Sequence, residues 1–365
     1  MSEAVEQVDT QAPTKADGRE PPYRLLNLSD VLAMPSPTWV VDGVIPGSGV
    51  AVIFGQPNAG KTFITLDMAL HVAHGVEWFG RRTQQRPVVY VGLEGVGGIG
   101  NRLKGLMLAR WPDLIVKKPA LSNNDSEDMP MHFLLGESFR FALEDDQDTH
   151  RLIAAVSEMA IEKPLFIIDT LALAIAGNEN DNEVMAAVAR QANHLSAATN
   201  GTVILLHHPN KGNENDMRGG SALRGAVDAA ILISGDKDKG RAWTMTKTRD
   251  GEVGTGGAFD LVPVTLDDAS SDKSAVTTCA VRERLDRNPA VATRNEPTGA
   301  NQKKLLDIMR AQFPNGCTEP QLVEAWRAKL PEDKRRRAKQ DVKAALTKLV
   351  PNWLQRCADG SLKVA

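Results

Sequence analysis

The sequence predicts an α/β fold: a mostly parallel sheet with an antiparallel edge, followed by a small C-terminal winged-helix-like domain. Three observations carry this. Short apolar runs alternate with helix-length segments across residues 50–207, the pattern of parallel strands buried on both faces. After residue 228 strand-like runs follow one another at Gly and Asp turns, which suits antiparallel strands. Beyond residue 300 three helical periodicities are followed by an Asp-Gly pair between short alternating runs, a hairpin signal.

Each element can be justified in turn. Val50–Phe54 is apolar and reads as a buried strand, with Thr62–His74 as the helix after it. Pro87–Leu93 is a strand and Ile99–Arg110 a helix. Thr149–Ile161 is helical, Leu165–Asp169 a strand, Asp181–Thr199 a long helix and Thr202–His207 a strand. Ala229–Ser234, Arg241–Lys247, Ala258–Val264 and Thr277–Arg282 supply the antiparallel edge. Residues 1–22 are polar and Pro-containing and read as a disordered tail, so the main domain spans 23–283. Residues 284–299, with two prolines and a glycine, read as a linker. In the domain at 300–365, Asn301–Gln312, Glu319–Leu330 and Lys334–Leu349 have helical spacing, and Trp353–Cys357 and Ser361–Val364 flank the hairpin turn. Three helices and a hairpin outline a winged helix.

Composition narrows the function classes. The 365 residues are 42% hydrophobic, enough for a substantial core. The formal net charge of −3 hides an asymmetry: residues 298–365 carry +7 and the remainder −10. A basic module on an acidic body points to an anionic partner at one end. Three dispersed cysteines (Cys279, Cys317, Cys357) exclude a disulfide scaffold and fit a reducing cytoplasm. No apolar run approaches the roughly 18 residues of a membrane span, so no membrane partner is expected. The polar, acidic N-terminus lacks the apolar segment of a secretory signal.

Gly55-Gln56-Pro57-Asn58-Ala59-Gly60-Lys61-Thr62 satisfies GxxxxGK[ST] at every fixed position. It follows one expected strand and opens one expected helix, the setting this phosphate loop requires. The glycines let backbone N–H groups turn around phosphate oxygens, and the helix N-terminus adds a positive dipole. Gly55, Pro57, Asn58, Ala59, Gly60, Lys61 and Thr62 are therefore the expected nucleotide-binding residues. Lys61 is expected to reach the β- and γ-phosphates of ATP, and the Thr62 hydroxyl to ligate Mg²⁺. Asp169 ends an apolar strand, where a carboxylate can hold Mg²⁺ through water. Glu94 ends the strand after the phosphate-loop helix and can polarise the attacking water. Asp181 is the reserve carboxylate.

The order of these parts resembles the RecA-type ATPase core, in which the catalytic Glu sits on the strand after the phosphate loop. The run His207-His208-Pro209-Asn210-Lys211, then Arg218-Gly219-Gly220-Ser221-Ala222-Leu223, resembles the plasmid RepA-type hexameric helicases and their phage and mobile-element relatives. Trp39–Gly43 and Ile45-Pro46-Gly47 also resemble that family, over about residues 36–283 in all. The resemblance implies a RecA-type P-loop NTPase core with His207 as the γ-phosphate sensor. It implies that the polar loop 209–217 faces a channel holding single-stranded DNA, with Lys211 and Arg218 as contacts. Lys247-Thr248-Arg249-Asp250-Gly251 looks like the K-x-R-x-G strand end of DnaB-type helicases, which implies that Lys247 and Arg249 reach a neighbouring subunit's nucleotide. RepA-type helicases carry an Arg near the position of Asp228, so that finger is not carried over, and Arg224 is in reserve.

In the tail, Lys334, Arg335, Arg336, Arg337 and Lys339 open the third helix, with Val342, Leu346 and Leu349 inward. Winged helices usually place this helix in the major groove of duplex DNA, so Arg335, Arg336, Arg337 and Lys339 are expected DNA contacts. No cis arginine finger is evident, which implies a homo-oligomer, a hexamer by resemblance. The reading is an ATP-dependent helicase or translocase for replication of a plasmid, phage or mobile element. A non-translocating ATP switch or loader is the alternative. A small-molecule P-loop kinase ranks last, because neither HH-x-x-K nor K-x-R-x-G belongs to kinases.

Overall fold

The computed structural model describes residues 25–112, 129–142, 146–210, 213–218, 220–237, 240–266, 276–284, 300–314, 316–349, 354–356 and 361–364. The expected tail at 1–22, Lys211 and the expected linker beyond Arg284 lie outside them. The chain divides into two units, Met1–Pro37 and Thr38–Ala365. In the first, helix α1 (Leu28–Leu32) has a reciprocal cap: Asn27 accepts from the Asp30 N–H and Asp30 from the Asn27 N–H.

The second unit begins β1 (Trp39–Val41), β2 (Ile45–Pro46), β3 (Gly49–Gly55), α2 (Lys61–His74), β4 (Val88–Gly92), α3 (Ile99–Arg110) and β5 (Met131–Leu135). Next come α4 (Gln147–Glu158), β6 (Leu165–Asp169), α5 (Asn182–Thr199), β7 (Thr202–His207), β8 (Pro209–Asn210) and β9 (Asn213–Met217). Helix α6 (Gly220–Ala226) leads into β10 (Ala229–Asp236), β11 (Gly240–Thr248), β12 (Gly256–Leu266) and β13 (Val276–Arg284). Helices α7 (Ala300–Gln312), α8 (Glu319–Ala328) and α9 (Ala338–Leu349) precede the paired strands β14 (Leu354–Arg356) and β15 (Leu362–Val364).

Nine strands form one sheet in the order β13-β12-β11-β10-β3-β7-β6-β4-β5. From β10 to β5 every pairing is parallel, and β10-β11-β12-β13 is antiparallel. This is the expected α/β fold, a mostly parallel sheet with an antiparallel edge. Alternate residues of each central strand feed two cores. Ala51, Ile53, Tyr90 and Ile167 join one with Ile64, Leu70, Ile99 and Leu106 of α2 and α3. Val52, Phe54, Val91 and Ile168 join the other with Leu152, Val156, Val184, Val188 and Leu223 of α4, α5 and α6. Both faces are therefore covered, and the strands read as unbroken apolar runs for that reason. A third cluster, Leu305, Met309, Leu322, Trp326, Val342, Leu346, Leu354 and Leu362, holds α7–α9 and β14–β15 together.

Three expectations need correction. Residues 131–135 form an edge strand paired with β4. Its side chains are half-exposed, and Phe133 is 38% accessible, so no continuous apolar run announced it. The loop 209–217 contains a hairpin, β8 with β9. The third C-terminal helix starts at Ala338, because Glu332–Arg337 is 3₁₀. Six successive charged residues offer no apolar stripe to hold an α-helical turn against the core.

Gly55 shows how tightly the centre is built. A Cβ there would lie 2.2 Å from the Ile233 carbonyl oxygen of β10. Gly55→Ala should cost about 1–3 kcal/mol as an overpacking change. Urea unfolding checks this, with a lower midpoint at unchanged slope expected and an unmoved midpoint contradicting it.

Candidate nucleotide site

The parallel topology brings the C-terminal ends of β3, β4, β6 and β7 to one edge. The phosphate loop leaves β3 there and enters α2, with Gly60 at φ +97°, a left-handed conformation suited to glycine. The first backbone N–H groups of α2 have no intrahelical partners and face the loop. A cavity of about 440 Å³ opens over it, and its walls include Lys61, Thr62, Glu94, Arg102, Asp169 and His208. Pro57, Asn58 and Gly60 line it as well. Gly55 lies behind the loop, and Ala59 is buried.

Asp169 is the site's anchor. It is 2% exposed. Tyr90 Oη donates to its Oδ2 at 2.5 Å and Thr62 Oγ1 at 2.8 Å. Burial raises the Asp169 pKa, and the two hydroxyl donors oppose that shift by stabilising the carboxylate. Lys61 Nζ donates to the Gly55 carbonyl at 2.8 Å and the Gln56 carbonyl at 3.1 Å. Its burial lowers its pKa against the opposing charges of Asp169 and Glu94. Glu94 is exposed to the cavity, and its Oε2 accepts from Thr170 Oγ1 at 3.3 Å. The hydroxyl of Thr62 and the carboxylate of Asp169 are hard oxygen donors placed side by side, which fits Mg²⁺.

The two histidines divide differently from expectation. His207 is fully buried; its Nε2 lies 3.0 Å from the Arg218 carbonyl, and its Nδ1 has no partner among the described residues. Burial lowers its pKa to about 4, so it is neutral at pH 7. Its Nε2–H therefore donates to Arg218. His208, not His207, lines the cavity. Neighbouring strand residues face opposite ways, and the sequence does not say which of the pair faces the phosphates.

The other expected cations have partners in their own chain. Arg218 pairs with Glu179, and Arg224 Nη1 lies 2.6 Å from Asp216 Oδ1. Lys247 Nζ donates to the carbonyls of Arg224, Gly225 and Val227, capping the C-terminal end of α6. Burial lowers its pKa, and the Arg249 charge adds to that. Arg249 Nη1 lies 3.1 Å from Asp228 Oδ1, and Nη2 donates to the Ala226 carbonyl. Asp228 accepts the Val50 N–H at 2.8 Å. Asp181 caps α5 through the Glu183 N–H and has no place in the cavity wall.

Sequence reasoning missed two arginines. Arg102 of α3 lines the cavity, with its guanidinium 5.8 Å from the Phe63 ring. Arg241 of β11 packs by the phosphate loop: a Cβ on Gly60 would lie 3.6 Å from its Nε, which is buried without a partner among the described residues. A cis arginine is thus present, and its supposed absence cannot argue for an oligomer. The only hint in sequence was that the helix after Glu94 must begin near the phosphates.

A family model described as an AAA domain matches residues 20–214, which contain the phosphate loop, Glu94, Asp169 and both histidines. The chain belongs to the AAA domain family. The matched part of this AAA domain ends before Arg218, Lys247 and Arg249. Among solved structures, the RadB recombinase is similar at 14% identity and a TM-score of 0.40, covering 60% of this chain and 88% of its own. No curated protein sequence matches the chain. An AAA domain with a complete phosphate loop supports nucleotide binding and ATPase activity. Among the described residues, no helix is long and apolar enough to cross a membrane.

The Tyr90 contact gives a test with a definite sign. Tyr90→Phe removes a donor to ionised Asp169 and so raises its pKa further. Activity needing the carboxylate is present above that pKa and lost as pH falls through it. The acid limb of the Mg²⁺-dependent ATPase profile should therefore move to higher pH. An unmoved limb would mean that Asp169 is not the titrating metal ligand.

Proposed function

We propose that the protein is an ATP-dependent DNA helicase or translocase of the RepA type, a homo-oligomeric ring, hexameric by resemblance, serving replication of a plasmid, phage or mobile element. The carrying observation is where Lys247 and Arg249 lie. Lys247 pairs with Ala230, which pairs with Val52, the middle residue of β3. The Arg249 N–H donates to the Asp228 carbonyl, beside Val50. The phosphate loop begins at the other end, after Gly55. Five residues of strand, about 16 Å at roughly 3.3 Å per residue, separate the register of Arg249 from the loop, and three residues, about 10 Å, separate that of Lys247. Within their own chain Lys247 holds the end of α6 and Arg249 pairs with Asp228; in the ring both would exchange these contacts for a neighbour's nucleotide.

In this reading Glu94, oriented by Thr170, takes the proton of the attacking water. Lys61 and Arg102 stabilise charge on the transferring phosphoryl group, and Arg249 adds a trans contact. Mg²⁺ held through Thr62 and Asp169 would supply charge neutralisation between phosphate oxygens. His208 faces the γ-phosphate, while neutral His207 ties the same strand end to the Arg218 backbone. Loss of the phosphate contact thereby reaches the β8–β9 hairpin, where DNA would lie.

The C-terminal elements follow the winged-helix order. Arg335, Arg336, Arg337 and Lys339 are exposed there. A 3₁₀ turn fans three consecutive residues about 120° apart. Arg336 and Lys339 then share a face, and not every arginine can meet one duplex. One observation favours the non-translocating switch instead: the Glu179 pairing occupies the Arg218 side chain.

Glu94→Gln should bind ATP yet turn over about 10²–10⁴-fold more slowly; unchanged turnover would relocate the base. Mixing Arg249→Ala with Lys61→Ala subunits should restore some hydrolysis, since one kind keeps the phosphate site and the other the finger. If mixed rings form and stay inactive at every ratio, the trans role is wrong. ATP-driven strand displacement separates helicase from switch: DNA-stimulated hydrolysis without displacement would support the switch.

A further inference from the structure

We propose that Asp146, His150 and His194 form a binding site for a divalent transition-metal ion, represented by Zn²⁺, across helices α4 and α5. The site is separate from the nucleotide cavity and does not depend on the function proposed above. One donor atom from each of the three residues lies within 4.8 Å of the other two. His150 Nε2 is 3.1 Å from Asp146 Oδ2, and the His150 and His194 rings meet edge-on with centroids 5.1 Å apart.

The donor chemistry is specific. Two imidazoles and a carboxylate form a mixed nitrogen and oxygen set that suits zinc and its neighbours better than Mg²⁺. Zinc bonds of about 2.0–2.1 Å at tetrahedral angles need donors roughly 3.3 Å apart. The Asp146–His150 gap already meets this. The widest donor gap is at most 4.8 Å, about 1.5 Å beyond that spacing, a difference of the size that side-chain torsions span. Three ligands leave a fourth position for water.

The frame is fixed beneath the ligands. Thr149 Oγ1 donates to Gln191 Oε1 at 3.1 Å in the buried seam, and Gln191 Nε2 donates to the Ala142 carbonyl. Thr149 adjoins His150, and Gln191 lies one turn before His194. This bond holds the two ligand-bearing turns opposite each other.

The carboxylate also takes no part in capping its helix. Asp at a helix N-cap ordinarily accepts a backbone N–H of the first turn. Asp146 occupies the N-cap of α4 and makes no such bond; it faces His150 instead. An exposed His–Asp pair contributes little on its own and gives no reason for a second imidazole in contact. A cation shared by all three accounts for the whole arrangement. Binding needs both rings neutral and the carboxylate ionised.

Isothermal titration of the full chain with ZnCl₂, under saturating Mg²⁺, tests the site, with Co²⁺ visible absorption as a second readout. One equivalent should bind in the micromolar range, and bound Co²⁺ should show tetrahedral d–d bands. His150→Ala and His194→Ala should each weaken binding at least about tenfold, while His132→Ala leaves it intact. All three residues lie away from the nucleotide cavity, so circular dichroism and basal ATPase of the variants should match the parent. Absence of stoichiometric binding overturns the proposal. So does parental affinity in either α4–α5 variant, or an equal loss in His132→Ala.

Discussion

The Asp169 carboxylate is the point on which the nucleotide site depends. A carboxylate removed from water costs several kcal/mol unless donors replace its hydration. Thr62 and Tyr90 supply those donors from two different elements, at 2.8 and 2.5 Å. Helix α2, strand β4 and strand β6 are thereby fastened at one oxygen. Thr62 cannot drift from Asp169 without leaving a buried charge unsatisfied. The pair that would hold Mg²⁺ is thus set by the fold's own electrostatics. The sheet supports this by delivering β3, β4 and β6 in register from below.

The change from parallel to antiparallel pairing at β10 has a second consequence. Parallel strands end together, so they gather Lys61, Glu94, Asp169 and His208 at one edge. The reversal at β11 sends Lys247 and Arg249 back to the opposite edge. The same reversal leaves Arg241, at the start of that strand, beside the phosphate loop. One strand therefore carries Arg241 beside the phosphate loop at one end, and Lys247 at the other, against the end of α6. Lys247 and Arg249 both hold the carbonyls at the end of α6.

Much of this was legible before any coordinates. The phosphate loop is a contiguous pattern whose chemistry is local, so eight letters suffice. Asp169 and Glu94 were legible because a buried parallel strand is an unbroken apolar run, and a carboxylate ending it must sit at the sheet edge. What escaped depends on geometry that no local pattern encodes. Which of His207 and His208 faces the cavity is a matter of strand parity. Arg102 and Arg241 reach the site across space, from a helix and a strand with ordinary sequences. The edge strand Met131–Leu135 and the 3₁₀ turn at Glu332–Arg337 both lack the one-sided burial that periodicity detects.

The central claim, that the loop after β3 binds and positions the phosphates of ATP for hydrolysis, is tested most directly with Lys61→Ala. Mg²⁺-dependent hydrolysis would be measured for parent and variant, with circular dichroism confirming equal folding. The account predicts turnover by the parent and loss of binding or hydrolysis in the variant, because Lys61 is the cation that rises from the loop itself and folds back onto its carbonyls. Hydrolysis by the folded variant at the parent rate would contradict it.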